Sequence, residues 1–234
     1  MRHTMSKRLA LVALIAMAST LVIVTAASAQ STLPWLMITV RPELGGGSGA
    51  VTLKWNSIGD FASHEESPAI QGAGWGGLAI EPFFMPTSGR QFIISPLLSF
   101  GRGSGSFSSE GPIVDGQNMR YSQWVLAVGA GYQWYFGVTR ATNLYLMGHL
   151  GAGQISLAVD DNGWQTSDSM GLGYLDVTIG SMHRWDNGFL LGGALILSGE
   201  SFNGSTSAGN FWDVDTSGNI RMVRLGLMLG YAIR

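Results

Sequence analysis

The chain has 234 residues, no cysteine and a formal net charge of -2, which excludes disulfide bonds and gives no electrostatic reason to expect nucleic acid as a partner. Hydrophobic residues make up 46% of the chain and charged residues only 12%, whereas a soluble domain usually carries about 25% charged residues. This balance is atypical of a soluble globular protein and favours a membrane environment.

The amino-terminal segment has the pattern of an export signal. It opens with three basic residues, Arg2, Lys7 and Arg8. An apolar run over residues 9–24 follows, and residues 27–29 form a small-x-small cleavage box, Ala-Ser-Ala. An uncleaved membrane anchor is disfavoured because the run is shorter than about 18 residues. We therefore expect a signal peptide at 1–29 and a single mature domain at 30–234.

The mature chain is hydrophobic but offers no membrane-spanning helix. After residue 30, no uninterrupted apolar stretch approaches the roughly 20 residues that such a helix requires. A sheet that faces lipid must close on itself, because an open edge in hydrocarbon leaves backbone groups unpaired. The sequence therefore predicts an all-β fold, an eight-stranded antiparallel transmembrane barrel.

Ambiguity is confined to the first strand, which must come from residues 35–55. Apolar residues alternate at Leu36, Ile38 and Val40 and again from residue 51 to residue 55, with three glycines at 45–47 between them. The segment is either one strand kinked at the glycines or a strand followed by a hairpin above the membrane. Because bacterial barrels of this kind have even strand numbers, either alternative completes a set of eight.

Seven further strands follow from period-2 alternation of apolar side chains. They are expected at residues 75–85, 91–103, 120–135, 143–159, 170–185, 189–201 and 220–233. Three long polar connections (104–118, 160–168 and 202–219) alternate with short turns. Long outer loops and short periplasmic turns are typical of outer-membrane barrels.

The strand pattern has one irregularity and one supporting feature. Ile155, Leu157 and Val159 fall in the wrong phase for a lipid-facing set, which a bulge or a strand end above the membrane explains. Aromatic residues concentrate near strand ends, as expected for girdles at the two bilayer interfaces. Those assigned to the outer girdle are Trp75, Phe100, Tyr121, Trp124 and Phe202.

The alternating strands, the export signal and the ending Gly230-Tyr231-Ala232-Ile233 together carry a family resemblance. The mature chain resembles the small eight-stranded outer-membrane barrels of Gram-negative bacteria, the class of OmpX and the transmembrane part of OmpA. The ending is similar to the signal read by the barrel assembly machinery, although Arg234 replaces the terminal aromatic. The resemblance implies residence in the cell outer membrane, with lipid, lipopolysaccharide and that machinery as partners.

Candidate site residues are the polar side chains that the strand phase directs inward. They are Glu81, Tyr145, His149, Asp176, Arg184, Glu200 and Arg224. We interpret them as an interior network of ion pairs and hydrogen bonds, because buried charges must be paired. Arg224 is expected to pair with Asp176. A polar path for water or small ions through the same residues is the alternative.

No constellation in the sequence predicts catalysis, a metal site or a cofactor. Some similar small barrels modify lipid A through a His-x-Ser pair, but His149 is followed by Leu150 and Gly151. Residues 213–218 resemble the start of a calcium loop, but Arg224 stands where a bidentate glutamate is needed, so a polar turn is the better interpretation.

The predicted function is therefore non-enzymatic: a structural or surface-interaction protein that acts through its outer loops. A narrow channel is the first alternative and a lipid A-modifying enzyme the second. Arg102 and Arg120 lie near the expected outer rim and face outward. They are candidates for contact with lipopolysaccharide phosphates, with simple solvation as the alternative.

Overall fold

The computed structural model describes residues 33–57, 63–86, 90–109, 116–137, 139–160, 168–208 and 212–233. The expected signal peptide at 1–29 lies outside these residues. Over the described part of the chain, no helix is long and apolar enough to cross a membrane.

The described residues form eight long strands and one short one. Their bounds are β1 Leu36–Ser57, β2 Ser63–Glu66, β3 Ala69–Phe84, β4 Phe92–Ser108, β5 Asn118–Phe136, β6 Thr142–Asp160, β7 Asp168–Arg184, β8 Phe189–Ala208 and β9 Trp212–Ile233. The long strands pair antiparallel in chain order, and β9 pairs with β1 from Leu36↔Ile233 to Ser57↔Trp212. The sheet therefore closes, and the all-β, eight-stranded antiparallel fold class is confirmed.

Both descriptions of residues 35–55 are partly correct. The segment is one continuous strand whose register against β3 shifts between Gly47 and Gly49, and its upper end also forms a hairpin with the short strand β2. We call the end that carries Leu36 and Ile233 the lower end of the barrel, and the opposite end the upper end.

The strands extend further at the upper end than the sequence predicted. Residues 202–219, expected to be a polar loop, belong almost entirely to β8 and β9, which pair from Phe189↔Tyr231 to Ala208↔Trp212. The polar turn expected at 213–218 is likewise strand. The expectation was wrong because Gly, Ser, Asn and Asp on a solvated strand have the same composition as a loop.

The outer surface of the barrel changes character along each strand. On β9 the outward residues of the upper half are Asp215, Ser217, Asn219 and Arg221, and those below begin at Val223. Equivalent apolar side chains surround the whole lower half; we call them the apolar band. They include Ile38, Val40, Leu44, Leu78, Ile80, Ile94, Phe100, Leu126, Val128, Leu146, Leu150, Leu175, Val177, Ile179, Leu197, Val223, Leu227 and Leu229.

The inner surface changes in the opposite sense. In the upper half, large apolar side chains fill the barrel, among them Trp75, Phe107, Tyr121, Ile155, Leu157, Phe202, Ile220 and Met222. At the level of the apolar band the interior is charged. A smaller apolar cluster closes the lower end, and it includes Met37, Phe83, Ile93, Met147, Met182, Leu190 and Met228.

This inversion explains one irregularity of the sequence and corrects one assignment. Ile155 and Leu157 lie inside the upper half, and β6 pairs with both neighbours without a bulge in this region. Of the two explanations for their phase the bulge is wrong, and a strand end above the membrane agrees with their position above the apolar band. Of the five aromatics assigned to an outer girdle, Trp75, Tyr121 and Phe202 are buried in the upper interior. Phe100 and Trp124 alone face outward, with 46% and 41% of their surface exposed.

Prolines interrupt the backbone pairing next to the charged interior. The β3–β4 ladder has a gap that extends from the pair Ile80↔Leu98 to the pair Phe84↔Ile94. Pro82 and Pro96 lie in this gap and have no N–H to donate. The β1–β9 ladder is similarly interrupted at Arg41 and Pro42. Next to the second interruption, the side chains of Glu43 and Arg224 join β1 and β9 by an ion pair.

Candidate functional site

A closed ring of charged and polar side chains crosses the interior at the level of the apolar band. We call it the interior ring. It begins at Arg41 on β1, whose Nε donates to Glu43 Oε1 at 2.8 Å and whose Nη1 donates to Glu81 Oε2 on β3. All three side chains are at most 1% exposed. Arg41 thus bridges two carboxylates on neighbouring strands.

The ring continues through His149 on β6. Its Nε2 lies 3.1 Å from Glu81 Oε1, and its Nδ1 lies 2.8 Å from Asp176 Oδ1 on β7. Tyr174 then donates its hydroxyl proton to Asp176 Oδ2 at 2.6 Å. Both imidazole nitrogens therefore face a carboxylate.

Arg224 on β9 closes the ring. Its Nη2 donates to the Tyr174 hydroxyl oxygen at 2.6 Å, and its Nη1 donates to Glu43 Oε2 at 3.0 Å. The guanidinium also lies over the rings of Trp75 and Tyr174, at 5.5 and 5.6 Å from their centroids. The expected pairing of Arg224 with Asp176 is wrong: its carboxylate partner is Glu43, and Tyr174 stands between Arg224 and Asp176.

The structure brings four of the predicted interior residues together in the ring: Glu81, His149, Asp176 and Arg224. Glu200 is buried just above the ring, where its Oε1 accepts a hydrogen bond from Gln123 Nε2 at 2.9 Å. Arg184 is buried near the lower mouth, beside Met37, Tyr135 and Arg140. Tyr145 belongs to the lower apolar cluster, and its hydroxyl is 2.8 Å from Met228 Sδ.

Three members of the ring were missed in the sequence: Arg41, Glu43 and Tyr174. A signal was present for the first two, because Ile38 and Val40 face outward and therefore direct the other set of β1 residues inward. Tyr174 is in phase with Asp176 on β7 and completes the ring through its hydroxyl.

Glycines on the inner wall make room for the large ring side chains. A Cβ on Gly226 of β9 would stand 2.6 Å from Arg41 Cγ and Cδ, and a Cβ on Gly129 of β5 would stand 2.2 Å from His149 Cδ2. Contacts this short are not tolerated, so Gly226 and Gly129 must lack a side chain where Arg41 and His149 lie. These two ring side chains therefore pack directly against the barrel wall.

The ring has the chemistry of a structural ion-pair network. Two guanidinium groups, three carboxylates, one imidazole and one phenol are joined by ion pairs and hydrogen bonds, and every member is between 0% and 3% exposed. Within the described part of the chain, Arg41 Nη2 and Arg224 Nε are buried without a hydrogen-bond partner, and His149 Nε2 contacts Glu81 at ion-pair distance alone. His149 contacts carboxylates on both sides, so no nitrogen is directed at a nucleophile. Among the described residues, no group of three or more His, Cys, Asp or Glu side chains is arranged to hold a metal ion.

Comparison with known proteins finds similarity in architecture alone. No protein family and no curated protein matches the chain. Among solved structures, the outer membrane protein OprG from Pseudomonas aeruginosa is 15% identical, with 88% of this chain and 100% of that chain covered and a TM-score of 0.45.

Two further solved structures have the same general form. The outer membrane protein AlkL is 13% identical over 89% of this chain and 97% of that chain, with a TM-score of 0.42. Ail, the attachment invasion locus protein of Yersinia pestis, is 15% identical over 80% of this chain and 98% of that chain, with a TM-score of 0.32. The chain is thus similar in form to small outer-membrane barrels, at identities too low to transfer a function.

Proposed function

We propose that this protein is a non-enzymatic barrel of the outer membrane that spans the bilayer with its lower half and presents its upper half outside the cell. The observation that carries the proposal is the apolar band surrounding a sealed, charged interior. Side chains with 38% to 72% of their surface exposed encircle the lower half, although they are Leu, Ile, Val and Phe. A surface of this kind is stable against lipid and unfavourable against water.

The dimensions of the band support this placement. On β9 the outward apolar residues run from Val223 to Ile233, a stretch of 11 residues. A transmembrane strand requires about 9–11 residues when it is tilted by about 45°. The band therefore matches one bilayer, and the polar residues above Val223 extend beyond it.

The interior ring argues against the channel alternative. Arg41, Glu81 and Arg224 are 0% to 1% exposed, and their charges face one another across the interior. An ion would have to displace these buried pairs in order to pass. Separating a buried pair costs several kcal/mol, about 3–5 when one partner is removed.

The same ring argues against the enzyme alternative. His149 and Asp176 form a pair that could orient a catalytic imidazole, but the second nitrogen of His149 faces Glu81. A base in this position has no nucleophile to activate, and its 1% exposure gives a substrate no access. We therefore assign the ring a structural role: it holds the interior of the membrane-spanning half together.

The surface role falls to the upper half. It raises an outer wall of Ser, Asn, Gln, Asp and Arg side chains above the bilayer, where lipopolysaccharide is the surrounding lipid. The proposal also includes assembly by the barrel assembly machinery, which is expected to read the carboxyl-terminal strand.

Surface labelling tests the proposed placement directly, because the chain contains no cysteine and single substitutions give a clean signal. Asn219→Cys lies on the outer wall of the upper half and Asn187→Cys on the turn at the lower end. A bulky polymer maleimide that cannot cross the outer membrane should label Asn219→Cys on intact cells. It should label Asn187→Cys only after the membrane is broken.

Labelling of Asn187→Cys on intact cells, or of neither variant, contradicts the placement.

Planar bilayer recordings distinguish a structural barrel from a channel. We expect no conductance steps from the refolded protein. Steps whose ion selectivity changes in Glu43→Gln would instead show that ions pass the ring.

A further inference from the structure

A groove of about 550 Å³ lies on the outer face of the barrel at the upper edge of the apolar band. It runs across β3, β4, β5 and β6, and its lower side is formed by Leu78, Phe100 and Trp124. Its upper side is formed by Arg102, Ser122 and Ser156. The groove is therefore apolar toward the bilayer and polar toward the outside, like a lipid at the membrane surface.

Arg102 gives the groove its charge. It is exposed, and it is the one charged side chain among the residues that line the groove. Within the described residues, no acidic side chain forms an ion pair with it. On β5, Ser122 is the cross-strand partner of Arg102. Arg120 is the next outward residue above Ser122 and lies opposite Ser104. The groove thus presents positive charge at its polar side.

The floor and one wall of the groove are shaped by specific residues. Gly76 on β3 pairs with Arg102, and a Cβ added to Gly76 would meet only Leu44 Cδ2, at 3.7 Å. The floor is therefore open because Gly76 has no side chain. On the opposite wall, Trp124 donates its indole N–H to Gln154 Oε1 at 3.1 Å, which fixes the orientation of the ring.

We propose that this groove binds a phosphorylated, multiply acylated glycolipid of the outer leaflet, with Arg102 on a phosphate and Leu78, Phe100 and Trp124 against the acyl chains. The inference rests on the proposed placement in the outer membrane. A guanidinium donates two parallel hydrogen bonds to a phosphate, and aromatic side chains at this depth pack along lipid chains. The open floor at Gly76 admits the head group beside the arginine.

The barrel contains a matched control on its other side. Arg221 on β9 pairs with Gly199 on β8, as Arg102 pairs with Gly76. Both control residues face outward at the upper edge of the band, and a Cβ on Gly199 meets nothing within 4 Å. Below them lie the aliphatic pair Leu197 and Val223, where the groove has aromatic residues. Neither Arg221 nor Gly199 lines the groove.

The experiment compares four variants of the full mature chain, refolded in detergent and shown to be folded by their heat-dependent electrophoretic mobility. The variants are Arg102→Gln, Gly76→Val, Arg221→Gln and Gly199→Val. Each is titrated with bisphosphorylated lipid A and with lipid A from which both phosphates have been removed. Native mass spectrometry measures the retained lipid and its apparent dissociation constant.

We expect Arg102→Gln and Gly76→Val to weaken binding of bisphosphorylated lipid A by about tenfold, equivalent to about 1.4 kcal/mol. Arg221→Gln and Gly199→Val should bind like the unmodified protein. Removing the phosphates should weaken binding to the unmodified protein and abolish the difference between Arg102→Gln and Arg221→Gln.

Equal losses in Arg102→Gln and Arg221→Gln overturn the proposal, because they show that any interfacial arginine suffices. Equal retention of the phosphorylated and dephosphorylated lipids also overturns it. If the labelling of Asn219→Cys places the upper half outside the cell while the four variants bind alike, the groove assignment fails and the proposed function stands. If Asn219→Cys is not labelled on intact cells, both the proposed placement and the groove assignment are rejected.

Discussion

The upper half of this barrel buries large apolar side chains, whereas the lower half also buries a ring of charged ones, and β9 shows the change within one strand. In the upper half, from Asp215 to Met222, its outward side chains are Asp215, Ser217, Asn219 and Arg221, and Ile220 and Met222 face inward. From Val223 onward the outward side chains are apolar, and the inward set includes Arg224. The same fold thus has an apolar core in its upper half and a charged ring at the level of the apolar band, with a smaller apolar cluster below the ring.

The difference shows that the solvent outside each half determines what its interior must do. Where water lies outside, apolar side chains gain free energy by moving inward, as in a soluble protein. Where lipid lies outside, burying apolar groups gives no such gain, and ion pairs and hydrogen bonds join the strands at the level of the interior ring. The interior ring and the upper apolar cluster are therefore alternative solutions to the same packing problem.

The largest expected effect comes from breaking the interior ring. Arg224→Leu removes one donor from Glu43 and one from Tyr174, and it should lower the free energy of unfolding by about 3–5 kcal/mol. Urea titration in lipid vesicles measures this loss. The double variant Glu43→Leu/Arg224→Leu should be less destabilised than the sum of its single variants, because the two groups interact.

The control for the ring is Arg221→Leu, which removes an exposed arginine from the same strand and should change stability by no more than about 0.5 kcal/mol. Equal losses in Arg224→Leu and Arg221→Leu would show that the ring does not stabilise the lower half.

The second effect concerns the outer surface. Leu227 is 51% exposed near the middle of the apolar band, and Leu227→Arg should cost about 2–4 kcal/mol if that surface meets lipid. Asn219→Arg, on the same face of the same strand in the upper half, should be tolerated. Folding yield into vesicles measures both variants, and equal yields would show that the two surfaces meet the same solvent.

The smallest effect tests the upper core with one methylene group. Ile155 is 0% exposed within the upper apolar cluster, so Ile155→Val should cost about 0.5–1.5 kcal/mol. Ile179 in the apolar band is 39% exposed, and Ile179→Val should cost less because lipid fills the space that is vacated. A loss in Ile179→Val that equals or exceeds the loss in Ile155→Val would mean that the upper interior is not a packed core.

Much of the lower half could be predicted from the sequence, because its alternation is regular. Leu225, Leu227 and Leu229 indicate the outward face of β9 without any knowledge of its neighbours. The inward phase of Glu81, His149 and Asp176 follows from the same period of two. These predictions needed only the assumption that lipid lies outside.

The upper half could not be predicted in this way, because that assumption fails there. With water outside, Ile155 and Leu157 face inward, which appears in the sequence as a change of phase. Solvated strand residues such as those at 202–219 have the composition of loops. The strands predicted from the sequence therefore end too early, at the point where the solvent outside the barrel changes from lipid to water.

The partners within the ring depend on register, which the sequence does not specify. Arg224 meets Glu43 because β1 and β9 pair with Glu43↔Gly226 and Gly45↔Arg224. The prediction that Asp176 is the partner of Arg224 rested on strand phase and depth in the membrane alone. It also omitted Glu43, because the glycines at 45–47 left the first strand ambiguous.

The inversion between the two halves is tested most directly by spin labels at the outward positions of β9, from Asp215 to Tyr231, in protein reconstituted into vesicles. Oxygen concentrates in lipid and a charged nickel chelate concentrates in water. We predict high nickel accessibility from Asp215 to Arg221, high oxygen accessibility from Val223 to Tyr231, and a crossover between Arg221 and Val223. Oxygen accessibility that is uniform along the strand, or a nickel signal that persists through Leu227 and Leu229, would contradict the account.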